Sequence, residues 1–145
     1  MKKFKIFVIV ALLTGLLAGL YVWFFVYNKA HPDYETAQPI AKMDADSCYY
    51  AFSTASEESE KWLGQVIEIS GVAQSFEQAD SLNILVFEFE VDEIFGASGI
   101  RCSFLPEQSE ALKNLTLPKF VSVKGFVSGF NGSDVILEHC SFTNH

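Results

Sequence analysis

From residue 6 to residue 27 the chain carries no charged side chain. The run IFVIVALLTGLLAGLYVWFFVY is 22 residues long. At about 1.5 Å of rise per residue it spans about 33 Å as a helix, enough for a hydrocarbon core of about 30 Å. A helix suits that solvent because all its backbone hydrogen bonds are internal. Gly15 and Gly19 weaken a water-exposed helix but are common inside membranes. Tyr21, Trp23 and Tyr27 gather toward one end, where amphipathic rings favour the membrane–water interface. Lys2, Lys3 and Lys5 precede the run and only Lys29 closely follows it. The excess of cations places the N-terminus in the cytoplasm and the chain beyond about residue 28 outside. A cleaved signal peptide is the competing reading. Its apolar region spans about 7–15 residues and ends at small side chains, whereas this run is longer and ends in Phe24-Phe25-Val26-Tyr27. The sequence therefore predicts a single-pass, uncleaved anchor over residues 1–27 and localisation to the cell membrane, with the C-terminal domain extracytoplasmic. The Gly15-to-Gly19 spacing matches a helix-pairing pattern that also arises by chance in such helices.

Charge divides unevenly about the anchor. All 18 Asp and Glu follow it, against 7 Lys and Arg, so the remainder carries −11. Such a surface repels nucleic-acid phosphates and anionic lipid heads. Nucleic acid is therefore an unfavourable partner. The remaining length of about 118 residues suits one domain.

Residues 28–43, with Pro32 and Pro39 and few large apolar side chains, read as an extended spacer. Asp44-Ala45-Asp46-Ser47 offers N-cap chemistry for a helix over about 45–54. A second helix over about 56–63 has an acidic first turn and ends at Gly64. From Gln65 the period becomes two. Ile67 and Ile69 share one face, opposite Glu68 and Ser70, and Gly71 marks a bulge or bend. Residues 77–81 read as a turn. In 82–91, Leu85, Phe87, Phe89 and Val91 face one way, Glu88 and Glu90 the other. Ile100, Cys102 and Phe104 alternate with Arg101 and Ser103. Pro106 opens a helix, a strand runs from Phe120 to Phe130, and Asn131-Gly132 signals a hairpin into a last strand over about 135–143. The predicted fold is mainly β. It is a five-stranded, OB-fold-like barrel (β-β-β-α-β-β) over residues 44–145, preceded by two short helices and the transmembrane helix. An open five-stranded sheet is the alternative.

Four stretches carry a resemblance to a known family. They are Asp46-Ser47-Cys48-Tyr49-Tyr50-Ala51-Phe52; Trp62-Leu63-Gly64-Gln65-Val66-Ile67-Glu68-Ile69-Ser70-Gly71-Val72; Ile100-Arg101-Cys102-Ser103-Phe104; and Val121 to Phe130 followed by Asp134-Val135-Ile136-Leu137 and Cys140. Together they resemble the tRNA_anti-like (tRNA-anticodon-binding-like) OB-fold proteins, small bacterial proteins often carrying an N-terminal hydrophobic segment. The resemblance implies the fold and no particular activity.

Three cysteines stand at 48, 102 and 140. The third and fifth strands of an OB barrel are neighbours, which makes Cys102 and Cys140 a candidate disulfide outside the cytoplasm. Two buried thiols are the competing reading. His139 and Cys140 point to opposite faces under alternation, so no metal site is expected. Glu88, Glu90, Asp92 and Glu93 lack calcium-loop spacing. His31, His139 and His145 have no matching nucleophile, so no catalytic residue or cofactor is expected and the chain reads as a non-enzyme. The ligand face of an OB barrel would present Glu88, Glu90, Arg101 and Ser103, without the exposed aromatics that bases stack on. No ligand-binding residues stand out. The expected function is a binding module for a protein or envelope component. A single-stranded nucleic-acid-binding OB domain is the alternative, suggested by the fold alone.

Overall fold

The computed structural model describes residues 1–27, 33, 34, 36–92, 94 and 96–143. It divides into two units, Met1–Asp33 and Tyr34–His145. Residues 28–32 of the expected spacer, with Lys29 and His31, lie outside the described residues, as do Glu93 and His145.

The first unit is helix α1, Lys2–Val22, continued by a π-helical turn over Trp23–Tyr27. No side chain of α1 is buried. A helix apolar on every side is made for a core or for a membrane, and Lys2–Phe25 is long and apolar enough to cross one. Its one hydroxyl in mid-helix, Thr14, donates back to Val10 O at 2.9 Å and so needs no outside partner.

The second unit begins earlier than residue 44. Ile40 N–H donates to Val66 O, and Glu68 N–H donates to Ala41 O, both at 2.9 Å. These bonds lead into strand β1, Lys42–Asp44. Helix α2, Ala45–Ser53, and helix α3, Glu57–Trp62, follow. Ser56 caps α3 by accepting from Ser59 N–H at 3.2 Å. Gly64 takes φ +72°, which ends the helical segment. The strands are β2 (Val66–Ala73), β3 (Ser75–Ala79), β4 (Leu82–Asp92), β5 (Gly96–Phe104), β6 (Lys119–Phe130) and β7 (Val135–Phe142). The helix expected from Pro106 is shorter: a 3-10 turn, Pro106–Gln108, then the five-residue α4, Ser109–Lys113, anchored by buried Leu112.

The closed five-stranded barrel is not what forms. One open, seven-stranded sheet has the order β1-β2-β6-β7-β5-β4-β3, with only β1–β2 and β5–β7 parallel. Two features make the difference. The expected first strand breaks at Gln74 into β2 and β3, and β3 pairs with β4 at the far edge. The residues expected as a turn, 77–81, therefore begin in a strand; the turn itself is Asp80-Ser81, both at positive φ. The free edge of β2 is then taken by β1, through Lys42↔Glu68 to Asp44↔Ser70. An edge already bonded cannot close a barrel.

The inward faces follow the period-two pattern. Ile67, Ile69, Leu85, Phe87, Ile100, Cys102, Val123, Val127, Val135 and Leu137 are all fully buried, with Cys48, Tyr49 and Phe52 of α2 packed into the same core. Glu68, expected on the solvent side, is only 4% exposed because β1 covers it; Lys42 pairs with it at 3.0 Å. Gly71 sits where a Cβ would meet Ala45 Cβ at 2.9 Å, so it lets α2 approach, and the β2–β6 register runs through it without a bulge.

Candidate functional site

Strands β3, β4 and β5 and the β6–β7 turn bring one polar constellation together, centred on Arg101. Alternation turns Arg101 to the outer face between buried Ile100 and Cys102. Its Nε donates to Asp134 Oδ2 at 3.0 Å, and its Nη1 pairs with Glu77 Oε2 of β3. Asp134 is also held by Gly99 N–H, which donates to Oδ1 at 3.0 Å. The turn that presents Asp134 is built by Asn131, whose Oδ1 accepts from Ser133 N–H at 2.9 Å and Asp134 N–H at 2.7 Å. Burial works against the charge on Arg101. The hydrogen bonds and charges of Asp134 and Glu77 outweigh it, so its pKa rises. One cation is thus locked between two carboxylates and is not offered to an anionic ligand.

The rest of the surface is hydrogen-bonding and acidic. Ser75 Oγ donates to Glu88 Oε1 at 3.0 Å, and Glu88 N–H donates to Gln74 Oε1 at 3.1 Å. Ser98 and Ser133 hydroxyls meet at 2.9 Å. A bulge between Glu88 and Glu90 interrupts the β4–β5 register. Glu90 Oε2 accepts from Tyr49 OH at 3.4 Å, while Phe89 stacks on the Tyr49 ring, centroids 5.3 Å apart. Burial, then the Glu90 charge, pushes the Tyr49 pKa up. Phe87 is fully buried and Phe89 half-buried against Tyr49, so the two aromatics of β4 supply no exposed platform.

The residues singled out in the sequence divide clearly. Glu88, Glu90 and Arg101 join this surface, whereas Ser103 and His139 lie at a separate cleft. Cys102 and Cys140 sit on the neighbouring strands β5 and β7, both fully buried and both free thiols. Burial first, then the Cys140 thiol, holds the Cys102 pKa well above the ordinary value. Cys48 belongs to the same core and is pushed up to about 12 by burial and by Cys102. Among the described residues no group of three His, Cys, Asp or Glu side chains is placed to hold a metal. Sequence reasoning missed Gln74, Ser75, Glu77 and Asp134. The signal for Asp134 was present in the turn Asn131-Gly132-Ser133-Asp134; the others depended on seeing β3.

An apolar N-terminal helix followed by a small, mainly β domain of OB-like topology defines the class. The chain belongs to the tRNA_anti-like family, whose model matches residues 1–142. Among solved structures it is similar to a lipoprotein of Klebsiella pneumoniae whose proposed role is nucleic-acid binding, at 13% identity and a TM-score of 0.53, over 80% of this chain and 100% of that one. A weaker likeness is to the OBody AM3L09 bound to hen egg-white lysozyme, at 13% identity and a TM-score of 0.39, over 58% of this chain and 86% of that one. No curated protein matches the chain.

Proposed function

We propose that this protein is a membrane-anchored, extracytoplasmic and non-enzymatic binding module whose ligand is a protein or another envelope component. One observation carries the reading: the outer face of β3–β5 is acidic and already neutralises its one arginine with Glu77 and Asp134. A surface of this kind recognises hydrogen-bonding or cationic partners and is a poor cradle for phosphates. The uncharged run from residue 6 to residue 27 supports the anchor, and the cations Lys2, Lys3 and Lys5 support its orientation.

The test is crosslinking of the tagged, full-length protein in cells, followed by identification of what is trapped. A protein or cell-wall adduct that disappears when Arg101, Glu77 and Asp134 are replaced by alanine supports the reading. The competing reading, single-stranded nucleic-acid binding, draws on the fold and on the Klebsiella lipoprotein's proposed role. Fluorescence anisotropy of a labelled oligonucleotide at low salt separates the two. Tight, salt-sensitive binding to the purified protein would displace the leading proposal.

A further inference from the structure

Strand β7 departs from strict alternation. Leu137 and Cys140 both point into the core and are both fully buried, although they stand three residues apart. The extra residue is absorbed where His139 takes φ +52° and the β5–β7 register shifts between Cys102 and Phe104. Two successive side chains, Glu138 and His139, are consequently only partly buried and lie beside Ser103 of β5. They border a cleft of about 340 Å³ whose apolar walls include Leu82, Leu105 and Pro106. Tyr34 supports the imidazole from one side, stacked on it at 4.6 Å and 12°, and itself rests on Phe126 at 5.2 Å. Glu68, Glu77 and Asp134 each have a cation partner; Glu138 has no ion-pair partner among the described residues.

We propose that this cleft receives a lysine or arginine side chain from a protein partner, an assignment that rests on the protein-binding reading above. The apolar walls suit the aliphatic stem, and Glu138, with Ser103 and the His139 ring near it, suits the charged head. Charge complementarity favours this occupant: after Lys5 the chain carries 7 Lys and Arg against 18 Asp and Glu. An anionic group would meet both the unpaired Glu138 and that field. The bulge is what makes the site, because a regular strand would turn one of the two residues inward.

The test uses the full-length, isotope-labelled chain in zwitterionic detergent micelles, titrated with an acetylated pentalysine peptide and followed by amide chemical shifts. Saturable shifts at Ser103, Glu138 and His139 are expected. Glu138→Gln should weaken binding roughly tenfold, whereas Glu60→Gln, on exposed α3, should change it less than about twofold. Shifts spread evenly over the acidic surface, equal losses in both variants, or no binding would overturn the proposal. Spermidine offers the same ammonium chemistry without a peptide. If it binds as tightly, with the same dependence on Glu138, the assignment to a protein side chain falls. A protein still crosslinked in cells by Glu138→Gln would leave the proposed function standing and remove only this site.

Discussion

Gly99 and Gly125 show how the absence of a single Cβ sets two strands together. A Cβ on Gly99 would lie 1.7 Å from Phe87 O, and one on Gly125 would lie 2.6 Å from Cys140 Sγ. The first obstacle is backbone and cannot step aside; the second is a side chain. Gly125→Ala should therefore destabilise the protein by about 1–3 kcal/mol. Combining it with Cys140→Ala should cost clearly less than the sum of the two single changes, a coupling that denaturant melts in a double-mutant cycle would read. Additive losses would mean that the two positions do not touch. Cys48 gives a pH prediction. Its thiol rises from 9.0 to about 12 in the folded state, so the folded protein keeps a proton that the unfolded chain releases. A raised folded pKa makes its stabilisation complete below pH 9 and progressively lost between pH 9 and about 12, by up to about 1.4 kcal/mol per pH unit. Melts between about pH 8 and about pH 11 should show a steeper alkaline decline in the wild type than in Cys48→Ala. Parallel curves would contradict that assignment. None of these contacts was legible in the sequence, because each joins residues far apart in the chain.

Single elements were readable where their pattern was local. Alternation in 66–70, 82–88 and 100–104 located β2, β4 and β5, and Asn131-Gly132 located the β6–β7 turn, where Gly132 indeed takes φ +95°. Three features escaped. The corner at Gln74 has no glycine or proline to announce it. It is fixed by Gln74 N–H donating to Val86 O at 3.0 Å, a tertiary bond. Strand β1 is three residues long, too short for any period, and it exists because β2 offers an open edge. Strict alternation puts Glu138 and Cys140 on one face of β7; the bulge at His139 separates them and turns Cys140 into the core. The β3–β4 turn was located within 77–81 but drawn too long, because Asp80-Ser81 lacks the usual glycine, although both residues adopt positive φ, +47° and +71°. Ser81→Gly removes that strain and should stabilise the protein by about 0.5–1 kcal/mol in denaturant melts. A neutral or negative result would show that the Ser81 side chain compensates locally.

For the whole molecule, placement and fold have different origins. Topology belongs to the sequence: Lys2, Lys3 and Lys5 before an uncharged run predict that a reporter fused after His145 is active only when exported. Replacing the three lysines with glutamate should lower the exported fraction, measured by protease accessibility; a cytoplasmic reporter in the wild type would invert the proposed arrangement. Hydrophobic length, flanking charge and strand alternation are additive properties of neighbouring residues, so the sequence alone determined the apolar helix, the acidic mainly β domain and most of the inward-facing set. Sheet closure was decided only by tertiary structure, because it depends on which edge is already bonded, and β1 had bonded the edge of β2. The surface around Arg101 and the cleft beside Glu138 were decided there too. Each assembles side chains from several strands, and it takes a corner at Gln74 and a bulge at His139 to bring them within reach.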